Sequence, residues 1–130
     1  MGKAPSWSDE TVLSGDAISA SRARDFVCFR LVEHALLYLV EDMRLVVSEL
    51  VTNAIEHART PLLVRIEQES PVVLLTVQDR SLDLPHERFP EVQNAGGRGL
   101  FIVDLLSRDW GVTVGPGRQK SVWATFAAPR

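Results

Sequence analysis

The sequence has few of the features that mark secreted or membrane proteins. Cys28 is its single cysteine, so an intrachain disulfide is excluded. No apolar run is long enough to cross a membrane, and the first ten residues, MGKAPSWSDE, lack the apolar core of a signal peptide. These absences predict a cytoplasmic protein in a reducing compartment.

The chain also has no large excess of positive or negative charge. The chain has 14 lysines and arginines against 17 aspartates and glutamates, for a formal net charge of -3. Direct binding to nucleic acid or to an anionic membrane is therefore not expected. With 130 residues, of which 45% are hydrophobic and 24% charged, the chain has the length and composition of one folded domain.

Hydrophobic periodicity predicts two helices in the first half of the chain. Helical spacing begins at Ser19, and a second helix covers LVEDMRLVVSELVTNAIEHA with its apolar residues on one stripe. Residues 1–18 lack such a pattern and are predicted to be a loose lead-in, with an edge strand around residues 11–13 as the alternative. The stripe of the second helix comprises Met43, Val46, Val47, Leu50, Val51, Ala54 and Ala58.

Two strands, a long loop, a third helix and a closing hairpin follow. LLVRIEQE and PVVLLTVQD predict an antiparallel hairpin across Ser-Pro, and the second, more apolar strand suits the centre of a sheet. After the loop, GLFIVDLLSRDW predicts a helix, and WGVTV and SVWATFA predict the final two strands. We therefore predict an α+β two-layer sandwich over residues 19–130, with helices on one face of a mixed, mostly antiparallel sheet.

The second helix carries two polar residues beside its apolar face. At ~100° per residue, Asn53 projects at the border of the buried stripe, and Glu49 lies just outside it, one turn earlier. In a cleft, an amide oxygen can ligate Mg²⁺ and a carboxylate can accept a proton. The alternative is that Glu49 is a solvated surface acid and Asn53 a satisfied amide at the edge of the core.

Asp79 ends the most apolar strand, in phase with Val73, Leu75 and Val77. If that face packs against helices, the carboxylate points inward and needs a hydrogen-bond donor, which the exocyclic amine of adenine would supply. The alternative is an aspartate that only begins a turn.

A glycine-rich segment, AGGRGLFIVDLL, leads into the third helix. Glycines let the backbone approach a ligand closely, and a helix start offers free N–H groups to phosphate. The segment is neither a Walker A loop nor a dinucleotide fingerprint. Taken alone, Gly96, Gly97 and Gly99 are equally well explained as a flexible loop closure.

In this order and at these separations, the three segments resemble the nucleotide-binding boxes of the GHKL superfamily, which includes DNA gyrase and the catalytic domains of histidine kinases. ELVTNAIEHA resembles the N box, VQDRS the first glycine box and GGRGL the second. The segments SRARDFV, RDWGV and SVWATF further resemble the stand-alone anti-sigma-factor serine/threonine kinases of the RsbW/SpoIIAB type. The resemblance covers residues 19–127.

The resemblance implies a role for each candidate site residue. Asn53 would bind the Mg²⁺ that bridges the ATP phosphates, and Glu49 would be the general base toward a serine or threonine of a partner protein. Asp79 would accept a hydrogen bond from the adenine amine, and Thr125 would support adenine binding from the last strand. The phosphates would meet the segment formed by Gly97, Arg98, Gly99 and Leu100.

The resemblance also implies the partners. ATP and Mg²⁺ would be the ligands, a STAS-domain anti-anti-sigma protein the phosphorylated substrate, and a sigma factor the second partner. A homodimer is implied as well. Arg24 lies in the helix that such proteins use for docking, although a solvated surface arginine explains it equally well. His57 matches a position commonly filled by histidine and is expected to serve in packing.

One departure from the family pattern leaves an alternative open. The first glycine box usually reads Asp-x-Gly, whereas here Asp79 is followed by Arg80 and Ser81, and serine does not adopt glycine's backbone angles freely. The segment that would cover the nucleotide, residues 80–95, contains little glycine. The chain could therefore be a catalytically weak or inactive module that acts only by binding a sigma factor or another regulator. A histidine-kinase fragment is less favoured, because no phosphoacceptor helical hairpin is recognisable.

Overall fold

The computed structural model describes residues 6–57, 60–80, 97–116 and 119–128. Its strands are β1 (Ser6–Leu13), β2 (Leu62–Glu69), β3 (Val72–Arg80), β4 (Asp109–Val114) and β5 (Gln119–Ala127). Its helices are α1 (Ile18–Glu33), α2 (Val40–His57) and α3 (Gly97–Leu106), with a short 3-10 turn at Leu37–Leu39 before α2.

The strands form one five-stranded sheet in the order β1-β2-β3-β5-β4. Every pairing between neighbouring strands in it is antiparallel, and β2 and β3 form the predicted hairpin. The most apolar strand, β3, lies in the centre, as its continuous apolar run predicted. The predicted α+β sandwich is therefore confirmed, with a sheet that is wholly antiparallel over the described residues.

The helices cover one face of this sheet and enclose the core. On α2 the predicted stripe is buried from Met43 to Ala54, while Ala58 lies outside the described residues. Alternate residues of the central strands meet this stripe, so the two layers bury one continuous apolar core. None of the helices in the described ranges has the length and hydropathy needed to cross a membrane. The strand residues of the core are Leu62, Val64, Ile66, Val73, Leu75, Val77, Ala124 and Phe126.

The N-terminal segment differs from the predicted loose lead-in. Residues 6–13 pair with β2 along their whole length, so the strand is longer than the predicted alternative at residues 11–13. Only alternate residues of β1 are partly buried, and two of those four, Asp9 and Thr11, are polar, which explains the weak periodic signal. The segment from Ser6 to Leu13 therefore belongs to the sheet.

A ring pair joins β1 to the end of α1. Trp7 and His34 stack with their ring centroids 3.7 Å apart and their planes 5° from parallel. The indole Nε1–H of Trp7 donates a hydrogen bond to Oε1 of Gln68 on β2, over 2.6 Å. Arg30 of α1 adds an ion pair to Asp9, with 3.1 Å between Nε and Oδ2. These contacts give Trp7 a structural role in joining β1 to β2 and α1.

Candidate functional site

Helix α2 places Glu49 and Asn53 where its periodicity predicted them. Both side chains are half-buried, and in the projection of the helix Asn53 lies about 60° from the buried Leu50, at the border of the buried stripe. Residues four apart on a helix are neighbours on its surface, so Glu49 lies one turn before Asn53. Within the described residues, no side-chain hydrogen bond or ion pair engages either group.

Strand β3 buries Asp79 at its end. The residue is only 2% exposed and lies in phase with the buried residues Val73, Leu75 and Val77. The carboxylate therefore faces the helical layer, as the alternation of β3 predicted. A buried carboxylate is costly unless charge or hydrogen bonds compensate it, so its neighbours decide what it can do.

Three of the predicted site residues line one small cavity. Asn53 of α2, Asp79 of β3 and Leu100 of α3 all line it, although they come from distant parts of the sequence. Its volume is about 20 Å³, enough for about one water molecule and too little for a purine. A nucleotide base could enter only if the lining side chains moved apart. The remaining lining residues are Leu50, Ala54, Val77, Val112, Lys120 and Val122.

Lys120 is a charged lining residue that the sequence motifs did not indicate. It lies directly opposite Asp79 in the β3–β5 register and is only 4% exposed. Its Nζ lies 3.8 Å from Oδ2 of Asp79, which is an ion-pair distance longer than a hydrogen bond. The alternation of β5 carried a signal, since Lys120 is in phase with the buried residues Ala124 and Phe126. The alternation of β5 could not predict that Asp79 is the partner of Lys120, because that contact depends on the pairing of two strands that are distant in the sequence.

Thr125 does not join this group. It pairs with Leu74, whereas Asp79 pairs with Lys120, so the two positions on β5 are five residues apart, which is an odd spacing. Successive side chains of a strand point to opposite faces, and Thr125 accordingly lies on the outer face of the sheet, near Trp123 and Ser121. The predicted role of Thr125 in adenine binding is therefore corrected: the side chain is on the wrong side of the sheet.

Helix α3 begins at Gly97, within the predicted glycine segment. Gly97 and Gly99 lie in its first turn, and Leu100, which is 7% exposed, reaches the cavity. The first backbone N–H groups of a helix have no partner inside the helix, so this end suits an anion. The described part of the chain does not include the side chain of Arg98. It also does not include Gly96, Ser81 or the rest of the segment predicted to cover the nucleotide.

A wider depression lies on the other side of Asp79. It has a volume of about 470 Å³ and shares only Asp79 with the predicted site residues. Thr60 and Pro61 after α2, Gln78 of β3 and Gln119 of β5 contribute to its wall. Size alone would favour this depression, but the smaller cavity contains both the candidate metal ligand and the buried ion pair. We therefore locate the candidate site at the smaller cavity.

Arg24 connects α1 to the helix that carries the candidate base. Its Nη1 donates a hydrogen bond to Oγ of Ser48, 3.2 Å away, and Ser48 immediately precedes Glu49.

Cys28, one turn further along α1, is half-buried, and burial raises the pKa of its thiol. A raised pKa keeps a thiol protonated, so Cys28 is not an activated nucleophile. His57, the last residue of α2, is half-buried and is not among the residues that line the cavity.

The chemistry of these groups fits a magnesium nucleotide. The side-chain amide of Asn53 offers an oxygen, the ligand type that Mg²⁺ prefers in proteins. The carboxylate of Asp79 accepts hydrogen bonds from an amine, and the start of α3 suits phosphate. Asn53, Asp79 and Leu100 of α3 line one cavity between the helical layer and the sheet, so the elements that carry these three features meet there.

Comparison with known proteins gives an independent result. The family model described as the histidine kinase-like ATPase domain matches residues 21–126, which is most of the chain. No curated protein matches it. The matched region includes α2, β3, α3 and β5, the elements that surround the cavity, and the GHKL resemblance of their motifs agrees with it. The chain therefore belongs to the histidine kinase-like ATPase domain family, whose members are ATP-binding proteins of the GHKL type.

Proposed function

We propose that this protein is an ATP-dependent serine/threonine protein kinase of the anti-sigma-factor type. It would phosphorylate a STAS-domain anti-anti-sigma protein and bind a sigma factor when that protein is phosphorylated. The observation that supports the proposal most strongly is the meeting of Asn53, Asp79 and Leu100 at one cavity, with Glu49 one turn away on α2.

Each residue has a defined task in this proposal. Asn53 would hold Mg²⁺, which supplies positive charge to the phosphates when it is bound. Asp79 would accept a hydrogen bond from the 6-amino group of adenine. The first turn of α3, from Gly97 to Leu100, would donate backbone N–H groups to phosphate oxygens.

Glu49 would be the general base. Because it lies one turn from Asn53, its carboxylate would be beside the proposed metal ligand and close to the γ-phosphate. The carboxylate would accept the proton of the substrate hydroxyl as the hydroxyl oxygen forms its bond to the γ-phosphorus. The bond from that phosphorus to the bridging oxygen breaks, and ADP leaves.

Helix α1 is the proposed docking surface for the partner proteins. Arg24 is half-buried there and bonds to Ser48, next to Glu49. A protein that contacts this part of α1 would therefore lie close to the residue that must accept its proton. A homodimer is also part of the proposal, on the basis of the family resemblance.

A second candidate function is a module that binds a regulator without phosphorylating it. Two observations favour it: the cavity is smaller than a purine, and Lys120 already supplies a positive charge to Asp79. Ser81, in the sequence position where the family has glycine, also favours the binding module. The two candidates differ in whether the protein consumes ATP when its partner is present.

Phosphate transfer from radiolabelled ATP tests the proposal. The STAS-domain proteins of the organism that encodes this chain would be purified and tested one at a time as acceptors. We expect the wild-type protein to label one of them on serine or threonine. Glu49→Gln should bind ATP normally but transfer phosphate about 10²–10⁴-fold more slowly, the usual contribution of a general base.

Glu41→Gln is the matched control for this experiment. Glu41 is an exposed acid in the first turn of the same helix, so its loss should leave the transfer rate unchanged. An undiminished rate in Glu49→Gln would rule out Glu49 as the base. Wild-type protein that labels none of the acceptors would favour the binding module instead.

A further inference from the structure

The buried ion pair between Asp79 and Lys120 calls for an explanation beyond stability. Burying two charges costs about as much as their attraction returns, so such a pair is a weak source of folding free energy. Apolar side chains of similar size would fill the same place at little cost. Here the pair lies on the wall of the cavity that also contains Asn53. Its location indicates a role in binding.

The two charged groups present complementary hydrogen-bonding capacity to the cavity. The carboxylate of Asp79 accepts hydrogen bonds, whereas the ammonium of Lys120 carries three donors and no acceptor. Adenine offers the matching arrangement, because its 6-amino group donates and an adjoining ring nitrogen accepts, as N7 does on its major-groove edge. The 3.8 Å between Nζ and Oδ2 leaves the two groups close enough to face one edge of a base.

We propose that Lys120 is a second base-recognition residue. Its ammonium would donate a hydrogen bond to the ring nitrogen next to the 6-amino group, N1 or N7, while Asp79 accepts from the amino group itself. This inference rests on the proposed nucleotide site. It adds a residue that reads the adenine ring, where the family resemblance supplied only Asp79 and the misplaced Thr125.

Base binding at this cavity requires its lining residues to move apart. A purine requires the lining to open, and Lys120 has more rotatable bonds than any other residue that lines the cavity. Its flexible four-carbon side chain can swing aside while the ammonium stays near the carboxylate. The ion pair would thus hold the cavity closed without nucleotide and become part of the base contact with nucleotide.

Deaza nucleotides test the proposal, because each one replaces a single ring nitrogen with carbon. Binding of ATP, 1-deaza-ATP and 7-deaza-ATP would be measured by competition with a fluorescent ATP analogue. We expect wild-type protein to bind one of the two deaza compounds about tenfold or more weaker than ATP, the usual effect of losing a hydrogen bond to a charged group. In Lys120→Met the same compound should bind as well as ATP does.

This comparison isolates the contact between residue 120 and the ring. Any general damage from leaving Asp79 without the ammonium affects ATP and the deaza compounds alike, so it cancels from their ratio. Thr125→Val is the matched control, because it alters the opposite face of the same strand. That variant should bind the same deaza compound as much more weakly than ATP as the wild-type protein does. Circular dichroism would verify that each variant is folded.

Several results would overturn the proposal. Equal binding of all three nucleotides to the wild-type protein removes the ring contact, whether or not Lys120→Met folds. A penalty that persists in Lys120→Met assigns the contact to another residue. In both cases ATP still binds, so the proposed nucleotide site stands. If the wild-type protein binds no ATP, the nucleotide site and the role of Lys120 fall together.

Discussion

Asp79 and Lys120 show how much a single pair of side chains determines in this protein. Both are almost completely buried, and each compensates the charge of the other across the β3–β5 pairing. Removing one partner of a buried ion pair leaves the other charge without compensation, which is far more costly than replacing both. The pair therefore contributes to the fold and to the proposed recognition of the base, and the two effects need separate measurements.

Asp79→Asn should weaken the binding of ATP more than the binding of ITP. The substitution removes the acceptor for the 6-amino group, and the base of ITP lacks that group, so ITP has less to lose. We expect a difference of about tenfold between the two losses, measured by competition with a fluorescent nucleotide. Equal losses for ATP and ITP would contradict the contact between Asp79 and the adenine amine.

Urea unfolding provides the control for the same variant. Asp79→Asn alone should lower the free energy of unfolding by about 3 kcal/mol, because the buried ammonium of Lys120 loses its carboxylate. The double variant Asp79→Asn with Lys120→Met should lose less, since it removes both charges. The nucleotide comparison is then interpreted only at temperatures where each variant is folded.

At the scale of elements, the helices and the central strands were predictable, and β1 was not. The stripe on α2 and the apolar run of β3 are long, regular signals, because each element faces the core along most of its length. Strand β1 lies at the edge of the sheet, and its partly buried positions include Asp9 and Thr11. Contacts with β2 and α1 fix it in place, and a local pattern does not contain those contacts.

The stacking of Trp7 on His34 should help to hold β1 in place. Trp7→Ala removes the ring contact and the hydrogen bond to Gln68, so we expect a loss of about 2 kcal/mol in the free energy of unfolding in urea. Val12→Ala is the matched control on the same strand, because Val12 is 67% exposed, and its effect should stay within about 0.5 kcal/mol. Similar small losses in both variants would show that the ring pair is dispensable.

At the scale of the whole molecule, the candidate site lies where the helical layer meets the sheet. Asn53, Asp79 and Leu100 could each be selected from local sequence, because their helix or strand phase and their motifs were visible there. Lys120 was missed because its importance depends on the pairing of β5 with β3. Its partner in that pairing, Asp79, lies forty-one residues earlier in the chain. Thr125 was misplaced because a motif match ignores which face of the strand a residue occupies.

Calorimetric titration with ATP, with and without Mg²⁺, tests most directly whether the cavity lined by Asn53 and Asp79 is a nucleotide site. We expect the wild-type protein to bind ATP with micromolar affinity and to bind it more tightly with Mg²⁺. Asn53→Ala should abolish this binding while changing stability by less than about 1 kcal/mol, because Asn53 is only half-buried. No binding at millimolar ATP, or Mg²⁺-dependent binding that Asn53→Ala retains in full, would contradict the proposed site.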